Sequence, residues 1–171
     1  MKLFLLPFFF FFGIAVVHSQ TLKKYPIGKS GCSLYSYCES KYEMTLSDDS
    51  SEVYTGECSI AGVSYGSICV KLLRPLEDLT MAEDLLISYS DYLKTSFDIT
   101  KAVGYGKGHI LNNNEKTRGI LDYWEDKEMN KWKIKAWTDG KYIGFLYAYG
   151  KNELPESKVN VFLDSFRLPG M

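Results

Sequence analysis

The feature that most constrains this chain is a change of period. Leu34–Cys38, Tyr42–Leu46, Val53–Ile60 and Val63–Leu72 are rich in Tyr, Val, Ile and Thr and read as strands. Asp48–Ser51 and Ala61–Gly62 supply turn chemistry between them. Then Ala82, Leu85, Leu86, Tyr89, Tyr92, Leu93 and Ser96 recur at helical spacing behind Thr80-Met81-Ala82-Glu83, a capping box that satisfies orphan N–H groups. A second β block follows. It comprises a glycine-rich strand at Ala102–Leu111, a loop at Asn112–Asn114, and a hairpin of Arg118–Glu125 with Lys131–Trp137. The two-residue turn Asp139–Gly140 leads into Tyr142–Tyr149. A tight turn there puts Trp132, Ile134 and Ala136 on one face with Ile143, Phe145 and Tyr147, and Lys131, Lys133 and Lys135 on the other. Pro155 opens a closing helix to about Phe166, with Val159, Phe162, Leu163 and Phe166 as its stripe. The expected fold class is α+β, an antiparallel sheet with helices packed on it.

Ahead of this domain, Lys2 precedes an apolar run from Leu3 to Val17. A charge followed by an apolar core is the plan of a secretory signal peptide. Small residues at Val17 and Ser19 suit a shallow peptidase pocket and predict cleavage between Ser19 and Gln20. As a helix the run reaches roughly 22 Å, short of a ~30 Å hydrocarbon core. The expected organisation is a signal peptide at residues 1–19 and one exported domain at residues 20–171, secreted or periplasmic. Lys2 leaves with the leader, so 19 basic residues face 21 acidic ones in the mature domain. That balance gives no electrostatic reason to bind nucleic acid or anionic lipid, and no stable membrane anchor is expected after cleavage.

Four cysteines in an exported domain favour two disulfides. Bridging Cys32 to Cys38 is disfavoured if the intervening segment is extended, since its ends would lie ~20 Å apart. Of the three pairings four cysteines allow, a fold-back at Ser47–Ser51 that brings Cys38 close to Cys58 favours Cys38–Cys58 with Cys32–Cys69, without fixing the connectivity. Zinc-type spacing is absent, so no metal and no cofactor are expected.

The Asp139–Gly140 hairpin, the aromatic strand Tyr142–Tyr149 and the closing segment Pro155–Leu168, with Phe162-Leu163-Asp164-Ser165-Phe166 inside it, resemble the PsbP-like fold. Photosystem accessory subunits and DcrB-like bacterial envelope proteins share that fold. The resemblance implies an α/β/α sandwich with an accessory or binding role. It carries over no functional residue, and the cysteine-rich first block departs from its usual pattern.

Gly62-Val63-Ser64-Tyr65-Gly66 matches the hydrolase pattern G-x-S-x-G, but a strand follows it where a nucleophile elbow needs a helix. A hydrolase built on Ser64 would need His109, the single histidine of the mature domain, within hydrogen-bond reach. Acidic groups at Asp48–Asp49 and at Asp122, Glu125, Asp126 and Glu128 are the alternative acid–base candidates. A third possibility is a carrier with an apolar cavity between sheet and helices. The leading expectation is non-enzymatic recognition of a protein or other extracellular ligand. Tyr123, Trp124, Trp132, Trp137, Tyr142, Tyr147 and Tyr149 crowd the second β block, and such rings suit sugar or protein contacts. Within that crowd, Trp137 and Tyr142 beside Lys133 and Lys135 form the candidate recognition patch.

Overall fold

The computed structural model describes residues 21–171. The expected leader and its cleavage point fall outside them. Among the described residues the fold is α+β, and no helix is long and apolar enough to cross a membrane. Strands β1 (Lys23–Pro26) and β2 (Ser33–Ser36) form a small antiparallel hairpin. The main sheet contains β3 (Glu43–Leu46), β4 (Glu52–Ile60), β5 (Val63–Lys71), β6 (Ile99–Ala102), β7 (Gly106–Leu111), β8 (Asn114–Asp126), β9 (Lys131–Thr138) and β10 (Tyr142–Gly150). Helix α1 (Leu79–Ser96) joins the two β blocks, and α2 (Glu156–Leu163) follows the last strand. The order across the sheet is β3-β4-β5-β10-β9-β8-β6, all antiparallel, with β7 paired to β8 beside β6. Strand β10 therefore sews the two β blocks together, Ile143 opposite Val70 and Tyr147 opposite Gly66.

Alternation along the strands gives the sheet two apolar faces. On one, Ile68, Val70, Ile120, Ile134, Ala136 and Phe145 lie under Leu86, Ile87 and Leu93 of α1. On the other, Tyr65, Cys69, Trp137, Leu146 and Ala148 lie under Val159, Phe162 and Leu163 of α2 and under Ile27 and Leu34 of the β1–β2 hairpin. Each fully buried Leu, Ile or Phe contributes roughly 1.5–3 kcal/mol of transfer free energy, so these two clusters dominate the stabilisation. The faces expected for the β9–β10 hairpin are those observed, with Trp132 opposite Tyr149 and Ala136 opposite Phe145.

Several boundaries differ from expectation, each for a local reason. Helix α1 is capped by Asp78, whose carboxylate accepts the Thr80 N–H at 2.7 Å, so Thr80 already lies in the first turn. Of the segment expected as one strand at Ala102–Leu111, only Gly106–Leu111 forms β7; Ala102 ends β6, which starts at Ile99 without having been expected, and residues 103–105 separate the two. There Gly104, at φ +103°, turns its N–H onto the Asp122 carboxylate at 3.1 Å. The β9–β10 connection is Asp139, Gly140 and Lys141 rather than a two-residue turn, because the Asp139 carboxylate accepts both the Lys141 and Tyr142 N–H groups. Helix α2 stops at Leu163, not Phe166. The Asp164 and Ser165 N–H groups close its last turn, and Arg167 then pairs with Ser33 through two backbone bonds of 2.8 and 3.0 Å. Strand β1 had no sequence signal, since Lys-Lys-Tyr-Pro carries no apolar alternation.

Candidate functional site

The expected recognition patch is a docking seam within the protein. Trp137 is 3 % exposed; its indole N–H donates to the Leu163 carbonyl at 3.3 Å, and its ring covers Gly119. Tyr142 is half-buried against the same cluster. The lysine row on that face is paired with acids on the segment carrying α2: Lys131 with Glu153, Lys133 with Glu156 at 2.7 Å, and Lys135 with Asp164 at 2.5 Å. Burial alone would lower the pKa of Lys133, but its bonds to Glu156 and Tyr123 raise it above the ordinary lysine value. The row thus seats the closing helix instead of offering free cations.

Catalytic constellations read from the sequence do not assemble. Ser64 lies inside β5, its hydroxyl 2.8 Å from that of Ser59 across the β4–β5 hairpin. His109 sits on β7, opposite Gly119 of β8. Strands β10, β9 and β8 intervene, which separates Ser64 and His109 by roughly 19 Å across the sheet at ~4.8 Å per strand, and the register offsets them further along it. The acidic residues are each engaged separately. Asp122, fully buried, accepts the Trp124 indole N–H at 2.6 Å and lies 3.5 Å from the Lys94 ammonium. Asp126 accepts the Trp132 indole N–H at 2.8 Å and both the side chain and backbone N–H of Asn130. Burial would raise the Asp126 pKa, but these bonds outweigh it and hold the carboxyl below its usual range. Glu125 pairs with Lys101 on the opposite face of β8, and Glu128 sits in the turn that Asp126 holds. Asp122 and Asp126 are four residues apart on one strand, roughly 13 Å between Cα atoms, well beyond the spacing glycoside hydrolysis uses. Asp49 is bonded by Ser47 and Ser51 within its own turn. No group of three or more His, Cys, Asp or Glu among the described residues could hold a metal ion.

Cys38 and Cys58 are joined, with Cα atoms 6.0 Å apart. Cys32 and Cys69, expected as a second bridge, are instead two buried free thiols in one apolar cluster.

The open surface lies elsewhere. Neither helix spans the full width of the sheet: α1 rests on β8, β9 and β6, and α2 on β10 and β9. Each face therefore keeps a bare half. On the α1 side the bare half shows Thr55, Glu57 and Ser59 of β4, polar side chains suited to water. On the α2 side the bare half lies over β6 and β8, and it is apolar at its centre. Tyr123 is 40 % exposed there and Val103 80 % exposed. These two floor an open depression of about 460 Å³, rimmed by Lys101, Glu125 and Lys131. A smaller hollow of about 100 Å³ continues past Tyr123 to Leu154 and Glu156 at the start of α2. The Lys133 ammonium lies over the Tyr123 ring, 5.1 Å from its centre. The result is a partly exposed ring set between the ion pairs Lys101–Glu125 and Lys131–Glu153.

Sequence reasoning included Tyr123 in the aromatic crowd but could not separate it from its neighbours. Its exposure follows from where α2 begins, which the local residues do not encode. No family model and no curated protein matches this chain.

Proposed function

We propose that this is a non-enzymatic binding domain of an exported protein, and that it recognises a protein partner through the Tyr123 face. The observation that carries this reading is the contrast between the two bare half-sheets: one polar, the other a preformed apolar depression rimmed by charges of both signs. An apolar centre within a charged, solvated rim is the anatomy of a protein–protein interface, and a rigid Tyr is a frequent energetic anchor in one. Fixing the ring with Lys133 lowers the ordering cost of binding. The Cys38–Cys58 bond supports an oxidising compartment, hence secretion or the periplasm. Helices on opposite sides of one antiparallel sheet, the second closing the chain after a long hairpin, support kinship in architecture with PsbP-like and DcrB-like accessory proteins.

The test is a photo-cross-linking residue placed at Val103 in the tagged protein at native level in its own host, with Thr55 on the polar half as control. The expected outcome is one recurrent protein adduct at position 103, none at 55, and loss of the adduct in Tyr123→Ala. An adduct that persists undiminished in Tyr123→Ala, or no recurrent protein adduct at 103, overturns the reading. In the second case glycan and apolar-ligand screens of the same depression follow.

A further inference from the structure

We propose that Cys32 and Cys69 become a second, buried disulfide in the exported protein, one that fastens the β1–β2 hairpin to the middle of the main sheet. The inference rests on the export reading above. Its geometric basis is the fold itself. Cys69 lies on β5 opposite Tyr54 and Gly144 and faces the α2 side of the sheet. Cys32 closes the hairpin loop just before β2. Its N–H is held by the Ser30 hydroxyl at 3.1 Å and its carbonyl by the Ile27 N–H at 3.0 Å. Both belong to one apolar cluster, 2 % and 0 % exposed, and the Cys69 thiol is near enough to raise the pKa of Cys32. Their neighbour Cys38–Cys58 is already bridged, so the compartment that makes that bond can make this one.

The step is a thiol–disulfide exchange. The two thiols lose two protons and two electrons as the S–S bond forms, and a donor disulfide from the exporting compartment is reduced to two thiols. Only a thiolate attacks, and in the folded state the neighbouring Cys69 thiol and then burial push the Cys32 thiol far up. The bond therefore forms while the hairpin is still undocked, and burial then protects it from reductants. Cys38–Cys58, at partly exposed positions, has no such protection.

The experiment uses the full chain secreted by its host, purified without reductant, unfolded in guanidinium and treated with N-ethylmaleimide. Trypsin alone leaves Cys32 with Cys38 and Cys58 with Cys69 on shared peptides, so chymotryptic cuts at Tyr35 or Tyr37 and at Tyr65 are needed to separate the pairs. The expected result is no maleimide on any cysteine and a linked peptide joining Cys32 to Cys69. In the native protein, the Cys38–Cys58 bond should open about tenfold faster than Cys32–Cys69 in dilute dithiothreitol. In Cys32→Ser, the Cys69 thiol should label fully on unfolding. Maleimide on Cys32 and Cys69 with Cys38–Cys58 intact overturns the proposal, as does a bridge joining Cys32 to Cys38 or Cys58. Maleimide on all four cysteines would instead remove the export reading on which it rests.

Discussion

Truncating Trp137 tests whether its ring is a keystone of the fold or a surface for recognition. The indole fills the space between Gly119 and α2; a Cβ built on Gly119 would lie 2.3 Å from its Cε3 atom. Trp137→Ala removes a fully enclosed ring and strips the Leu163 carbonyl of its donor. Cavities of this kind cost about 3–5 kcal/mol. For a domain of this size that is a fall in Tm of roughly 6–20 °C, at about 2–4 °C per kcal/mol. Urea denaturation followed by circular dichroism at pH 7 gives the number directly. Tyr123→Ala in the same assay should cost less than about 1 kcal/mol, since that ring is partly in water. Gly119→Ala should cost about 1–3 kcal/mol by overpacking, and most of that cost should vanish when Trp137 is also reduced to Leu. If Trp137→Ala costs no more than Tyr123→Ala, the indole is not packed as described, and the exposed patch expected from the sequence returns.

Two further outcomes follow from the ionic groups. Asp126 has a depressed pKa in the folded state, so its contribution is present above the unfolded value of ~3.9 and is lost as pH falls through the lower folded value. Asp126→Asn should therefore cost about 1–3 kcal/mol at neutral pH, by facing an amide N–H toward donors, with the deficit shrinking toward pH ~2; a deficit independent of pH in a denaturation series would contradict this. Lys133 is the buried partner of an exposed Glu156, so Glu156→Gln, which leaves the cation unpaired, should destabilise more than Lys133→Met, which leaves a hydrated carboxylate. The reverse order in urea midpoints would remove the seam interpretation of the lysine row.

Both helices and most strands of this chain, though not β1 or β6, were legible because they depend on local period. The α+β class, the two-faced β9–β10 hairpin and the Cys38–Cys58 bridge followed from alternation, turn residues and reach. The site was less legible because it depends on where elements stop over one another. Lys131, Lys133 and Lys135 share a face by alternation, but only the packed chain shows Glu153, Glu156 and Asp164 arriving opposite them. Trp137 and Tyr123 look alike in sequence; one lies under α2 and the other just beyond it. The break at residues 103–105 was hidden as well, since the Asp122 carboxylate that holds it comes from eighteen residues further on.

The bonds between the ends of the domain set an order on its maturation. Ser33 pairs with Arg167, and Tyr35 with Ser165 across a separation of 130 residues. If the chain is exported from its N-terminus, as proposed above, β2 is delivered first and its partner last. The hairpin must wait, with Cys32 in solvent, until the tail emerges. Contacts of such long range make folding slow in general. On the proposed export reading that delay would also give a disulfide donor its opportunity, since the hairpin docks only when Ser165 and Arg167 reach it.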